Sequence, residues 1–213
     1  MKKTLLLVFA FAVMLCASSC LRDGTATGSG NGGSDTVPAA EKIQQEMVVE
    51  PFDEVSLDGS CNVVFELGDE SRVRIEGPKE DLAFVNVYVE EEVLHIADRE
   101  KTKDIDVTVY VYTPVFKKLT LNGAGNVSVP KPIKADNCAI TLSGAGNITI
   151  ADLTCRALGL NLSGAGSITF DNLTANQVDT DLSGAGNVKL NGKVDRHNDR
   201  VTGSGTIDTS GLR

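Results

Sequence analysis

The sequence predicts an all-β chain: a single-stranded parallel β-helix with coils of about 20 residues, entered through an irregular β block. Three observations predict it. A glycine-centred unit recurs at a nearly fixed interval, apolar residues flank each unit at every second position, and strong helix formers are scarce within the units. The unit reads Leu121-Asn-Gly-Ala-Gly-Asn-Val-Ser-Val129, then Leu142-Ser-Gly-Ala-Gly-Asn-Ile-Thr-Ile150. Leu162-Ser-Gly-Ala-Gly-Ser-Ile-Thr-Phe170 and Leu182-Ser-Gly-Ala-Gly-Asn-Val-Lys-Leu190 follow, and Val201-Thr-Gly-Ser-Gly-Thr-Ile-Asp-Thr209 is a worn last copy. Their starts are 21, 20, 20 and 19 residues apart. That is the length of one coil stacking on the next at about 4.8 Å.

Within each coil, alternation assigns the faces. Cys138, Ile140 and Leu142, then Leu158, Leu160 and Leu162, point one way before the glycines. Ile148 and Ile150, Ile168 and Phe170, and Val188 and Leu190 resume the pattern after them. A third face is expected through Leu153 and Leu173, each eleven residues past its repeat's leading leucine. At the Gly-Ala-Gly corner, two requirements favour glycine: unusual dihedrals at the turn and close stacking of successive corners. Alanine is then expected to be the largest group tolerated between the glycines. Asn62, Asn126, Asn147, Ser167, Asn187 and Thr206 occupy equivalent places just after the corners, which predicts a hydrogen-bonded ladder along the column.

The elements ahead of the coils follow from composition. Met1-Lys-Lys3, an apolar run over residues 5–15 and Ala17-Ser-Ser-Cys20 read as a secretory signal ending at a lipoprotein cysteine. Residues 1–20 are therefore assigned as the signal peptide and Cys20 as the lipidation site, the membrane being reached through that anchor. Removing the leader takes Lys2 and Lys3 with it, leaving 18 basic against 29 acidic residues, hence a charge of −11. Such a charge disfavours nucleic acid as a partner. Residues 21–45, centred on Gly28-Ser-Gly-Asn-Gly-Gly33, read as a flexible tether with a reach of about 25 Å.

The folded domain is placed at residues 46–213, with the irregular block over 46–118 and regular repeats over 119–213. An early copy, Leu57-Asp-Gly-Ser-Cys-Asn-Val-Val-Phe65, opens the block. Strands are expected at residues 73–77, 85–89, 93–96 and 106–112, with a helical turn beginning near Pro78. Either the block forms irregular coils of the same solenoid or it is a small sheet capping it. The pattern leaves both open.

A search for chemistry finds no assembled catalytic site. His95 alternates with Leu94 and Ile96 and belongs on a wet strand face, while His197 falls in the polar run Asp195-Arg-His-Asn-Asp-Arg200, read as an exposed loop. Neither has metal-ligand spacing to a cysteine or histidine, and no cofactor motif occurs. Cys61, Cys138 and Cys155 read as small buried hydrophobes, with a Cys138–Cys155 bridge left open. β-Helix polysaccharide enzymes use paired carboxylates, for which Asp179 and Asp181 on one strand face, with Asp152 and Asp171 nearby, are the candidates. They lack an aromatic platform: there is no Trp, and Tyr88, Tyr110 and Tyr112 all lie in the irregular block. The glycine repeats also lack the Asp of calcium-binding repeats.

Phe52-Asp-Glu-Val-Ser-Leu-Asp-Gly59, Val63-Val-Phe-Glu-Leu-Gly-Asp69 and the Ser-Gly-Ala-Gly-Asn units, in that order, resemble the putative auto-transporter adhesin, head GIN domain family. Cys61 departs from the glycine or small residue usual in that family at its corner. The resemblance implies an exported bacterial protein with a right-handed parallel β-helix, and its adhesin name points to cell-surface attachment. It supplies no functional residues to carry over. The expectation is a non-enzymatic, lipid-anchored envelope module, set on the outer membrane, that binds a glycan or protein. A periplasmic accessory lipoprotein and a polysaccharide-active enzyme are the alternatives. The sequence names no ligand and no oligomeric state.

Overall fold

The computed structural model describes residues 42–99 and 105–213; the leader with Cys20 and the glycine-rich stretch through residue 41 lie outside them. Strand β1 (Lys42–Val48) comes first. The early copy supplies β2 (Glu54–Asp58) and β3 (Asn62–Leu67) on either side of its corner. Next come β4 (Arg72–Pro78), the short helix α1 (Lys79–Leu82), β5 (Val85–Glu90), β6 (Val93–Asp98) and β7 (Thr108–Thr113). The first regular coil contains β8 (Lys118–Leu121), β9 (Asn126–Val129) and β10 (Ile133–Lys134), and β11 (Asn137–Leu142) leads into the second. Longer strands, β12 (Asn147–Leu162), β13 (Ser167–Leu182) and β14 (Asn187–Val201), each wrap through three faces, and β15 (Thr206–Leu212) ends the column. The result is a β-solenoid of about five turns.

Parallel pairing stacks the coils in register, with one-residue shifts between Phe170 and Leu173 and between Lys189 and Asn191. A leading sheet, formed by residues before each corner, runs β5, β6, β2, β8, β11 and the C-terminal arms of β12, β13 and β14. A trailing sheet, formed after each corner, runs β1, β4, β7, β3, β9, the N-terminal arms of β12 to β14, and β15. The expected third face is present, with Ile133 opposite Leu153 and Leu153 opposite Leu173. Inside, Leu57, Leu121, Leu142, Leu162 and Leu182 form one fully buried column, while Ile148 and Ile168 lie in a second and Leu153 and Leu173 in a third. Period-two alternation put them there, because every inward residue needs an apolar neighbour in the next rung.

The irregular block joins both expected architectures. Residues 68–117 leave the first copy and return, so that β2 and β3 pair directly with β8 and β9. On the other side of that first copy, β6 and β7 pair in parallel with β2 and β3 and make one further rung. Antiparallel strands then close the column: β4 on β7, β1 on β4, and β5 on β6. Residues 42–45, expected in the tether, pair with residues 75–78, so the ordered domain starts earlier than residue 46. Only Ile43 and Met47 of β1 are partly buried, which leaves no alternation for the sequence to show. The β5–β6 hairpin turns at Glu91 and Glu92, both with positive φ (51° and 64°).

Candidate binding surface

The corners fix how precisely the outer faces are laid out. A Cβ built on Gly123, Gly144, Gly164, Gly184 or Gly203 would strike the carbonyl oxygen of the glycine one rung before it. The second glycine of each pair meets the carbonyl oxygen of its counterpart one rung before, which is Cys61 for Gly125 and a glycine for the others. Among these, none has a left-handed φ; Gly192 alone does among the described glycines. Close stacking is thus the whole reason for the repeated glycines, and the expected demand for unusual dihedrals does not apply. The alanines between them (Ala124, Ala145, Ala165 and Ala185) point to solvent, so burial does not limit their size.

Cys61 is explained by the same geometry. Every clash is with the preceding rung, and Cys61 stands at the first corner, where no glycine corner precedes it. Asp98 fills that place, accepting hydrogen bonds from the Ser60 N–H (2.7 Å) and hydroxyl (2.8 Å). The Cys61 thiol is fully buried, and burial first, then the nearby Asp98 charge, push its pKa up to about 12. Cys138 and Cys155 are also buried free thiols, as expected of small hydrophobes, and no bridge joins them. The hydrogen bond with the neighbouring Cys155 sulfur first, then burial, raises the pKa of the Cys138 thiol.

The polar ladder forms on the trailing sheet. Asn126 donates to Asn62 and Asn147 to Asn126, each at 3.0 Å, and the Ser167 hydroxyl donates to Asn147 at 2.9 Å. No such bond continues to Asn187. Toward the N-terminal end of the same sheet, the Arg74 guanidinium lies 4.0 Å from the Tyr110 ring centroid and Arg72 lies 4.5 Å from Tyr112. Arg72 also pairs with Glu46 at 2.7 Å. The tyrosines of the irregular block therefore share continuous faces with the repeats.

A second aromatic contact stands on the leading sheet. Tyr88 stacks on His95 with centroids 4.9 Å apart and rings inclined by 14°. Pairing register carries this row onward, Tyr88–His95–Ser56–Thr120–Thr141–Asn161–Asp181–Arg200, one outward side chain per strand. Spanning eight strands, the row is about 34 Å long at a strand spacing of ~4.8 Å. Only the tyrosine and its histidine could have been suspected from sequence, since register between segments 30 or more residues apart leaves no local trace.

The candidate carboxylates are placed differently from an acid–base pair. Asp179 and Asp181 do share the outer side of β13, but each is engaged by the last rung. Asp179 accepts from Asn198 and Gln177, both at 2.7 Å, and these amide donors hold its pKa below the usual carboxylate range. Asp181 pairs with Arg200. A general acid for glycoside cleavage needs the opposite shift. Asp152 accepts from Asn172 on the third face, and Asp171 is exposed beyond that strand's corner, so neither joins the other two. His197 is in β14 rather than a loop, its Nδ1 2.9 Å from Asp199. Both side chains stand at inward positions of a rung that pairs with β13 but carries no further strand on its other edge, where the apolar columns end. Below them, the Thr180 hydroxyl is buried without a partner. Depressions of about 370 and 270 Å³ open along these last rungs, one around Arg156 and Arg196, the other around Asp179 and Arg200. No cluster of three metal-ligating side chains occurs among the described residues, nor is any of their helices long and apolar enough to cross a membrane.

A solid β-solenoid with regular outward rows and glycine-locked corners defines a class of repetitive solenoid module. The chain belongs to the family described as putative auto-transporter adhesin, head GIN domain, whose model matches residues 51–213. Solved structures share the fold. A putative adhesin from Parabacteroides distasonis is 22% identical with a TM-score of 0.76, covering 81% of this chain and 75% of its own. A putative lipid binding protein from the same organism is 21% identical with a TM-score of 0.74, covering 80% and 74%. A putative adhesin from Bacteroides fragilis is 22% identical with a TM-score of 0.63, covering 82% and 94%. Curated proteins gave no match.

Proposed function

We propose that the protein is an exported, lipid-anchored adhesin that binds its target non-enzymatically on an outer face of the solenoid. Family membership supports the adhesive class. The observation that carries the reading is the pairing of a filled interior with rigid outer rows. Inward columns are buried throughout the coils, which leaves the outer faces to meet a ligand. Engagement of Asp179 and Asp181 by Asn198, Gln177 and Arg200 supports the absence of hydrolysis. Acylation at Cys20 and a tether through residue 41 would hold the domain off the outer membrane.

Three experiments test this. Cys20→Ala should abolish incorporation of labelled palmitate and release the protein from the membrane fraction. Protease added to intact producing cells should remove the domain, and deleting the gene should lower retention of cells on coated surfaces. Protection of the domain until the outer membrane is breached would refute adhesion and place it on the periplasmic side.

A further inference from the structure

We propose that the leading sheet binds an uncharged polysaccharide, laid along the solenoid axis from the Tyr88–His95 stack across Ser56, Thr120, Thr141 and Asn161. The proposal rests on the adhesive reading above and names its ligand class.

Three features select that chemistry. First, Tyr88 sits on the edge strand β5, with one ring face on His95 and no strand beyond the other, and it is 42% exposed. An open aromatic face takes the apolar side of a sugar ring. Second, the hydrogen-bonding groups along the row beyond Ser56, whose hydroxyl donates to Asp58 at 3.1 Å, are uncommitted. Thr120, Thr141 and Asn161 make no side-chain hydrogen bond within the described protein, whereas the amides of the trailing-sheet ladder bond one another. Unpaired hydroxyl and amide groups at regular intervals fit a polymer of hydroxyl groups, and exclude ligands that cannot pair with them.

Third, the middle of this face is neutral in a chain whose net charge is −9. The nearest charges are the Asp58 carboxylate, which accepts from Ser56 and Asn122 and pairs with no cation among the described residues, and two pairs that close on themselves at the margins, Lys118 with Glu54 at 3.4 Å and Arg200 with Asp181. Nothing on the row would draw an acidic polymer against the overall charge. A protein partner would call for large apolar anchors, and Tyr88 is the sole exposed large hydrophobic side chain on the row. The floor beside the row is also low: a Cβ added to Gly159, which lies between Ala139 and Asp179 in register, would meet no atom within 4 Å. A bulky side chain there projects into the ligand's path without disturbing the fold.

Affinity electrophoresis of the purified protein in gels containing laminarin, mannan or xylan, with alginate as the acidic control, tests the proposal. Retardation by at least one neutral polymer and not by alginate is expected. Tyr88→Ala and Gly159→Trp should each weaken that retardation at least tenfold, while Lys189→Trp on the trailing sheet leaves it unchanged. Urea midpoints near wild type for both leading-sheet variants exclude misfolding as the cause. Retardation by none of the neutral polymers, by alginate alone, or equally in all three variants would overturn the proposal. If cells still adhere in a protein-dependent way under any of those results, the adhesive reading stands and only the ligand or face is wrong.

Discussion

Replacing Gly164 with alanine puts a methyl group on the carbonyl oxygen of Gly144, with the carbonyl carbon 2.8 Å away and the amide nitrogen at 3.0 Å. Ordinary carbon–oxygen contacts are about 3.3–3.6 Å, so adjacent corners must part by on the order of 1 Å. Three backbone bonds hold them: Ser163 N–H to Leu142 (2.9 Å), Ala165 to Gly144 (3.0 Å) and Ser167 to Gly146 (3.2 Å). Stretching two or three of them beyond hydrogen-bonding distance forfeits about 2–3 kcal/mol, at ~1 kcal/mol net each. Gly159→Ala is the matched control. It is the same substitution in the same coil, and its methyl meets open space. Restricting the unfolded chain should there stabilise by about 0.5–1 kcal/mol. With a urea m-value of ~2 kcal/mol/M, the Gly164→Ala midpoint should fall by about 1–1.5 M and the Gly159→Ala midpoint rise by about 0.3–0.5 M. Equal midpoints for the two variants, or a Gly164→Ala midpoint within ~0.2 M of wild type, would refute stacking as the reason for the corner glycines.

Three further outcomes are expected. Asn126→Ala removes a donor and an acceptor from the ladder and should cost about 1 kcal/mol, whereas Asn187→Ala, outside its bonded part, should fall within ~0.5 kcal/mol of wild type by urea denaturation. Glu91→Asn with Glu92→Gly suits the positive φ at both hairpin positions, and should raise the thermal midpoint by about 2–4 °C for each ~1 kcal/mol gained. Acid unfolding should follow Asp179 and Asp208, which is held down by the Ser210 hydroxyl and N–H. Because both folded pKa values lie below the unfolded carboxylate value of about 3.9, their stabilisation is present above that pH and disappears as pH falls through the folded values. Asp179→Asn should flatten the fall in urea midpoint below about pH 4; an unchanged slope would remove Asp179 from the account.

Local pattern carried the coils well. Leu153 and Leu173 revealed the third face because each coil repeats its inward residues at one spacing, and the ladder from Asn62 to Ser167 followed from equivalent places after each corner. What lay beyond local pattern was pairing over distance. Nothing in residues 66–117 announces that β2 and β8 are neighbours, or that β6 and β7 extend the sheets by another rung. For the same reason the row from Tyr88 to Arg200 could not be read in advance. His197 was misplaced because polar residues at inward positions look like a loop, when they mark the last rung of the leading sheet, beyond which apolar stacking ceases. Charges there also discourage another strand from adding on.

The one-sided clash at the corners gives the column a direction of growth. Each corner constrains only its successor, so a coil copied within the repeats brings the residues its new neighbours require, and the change in length comes in whole steps of about 20 residues. A partial copy breaks the alignment of corners between rungs, and one of odd length turns the inward residues after it outward. Lineages carrying this domain should therefore differ by integral coils behind a fixed N-terminal rung. At the first corner the second position alone escapes the glycine rule, as Cys61 shows, while a Cβ on Gly59 would still meet the Asp98 carboxylate. That second position is where a side chain can be tried without unstacking the rest.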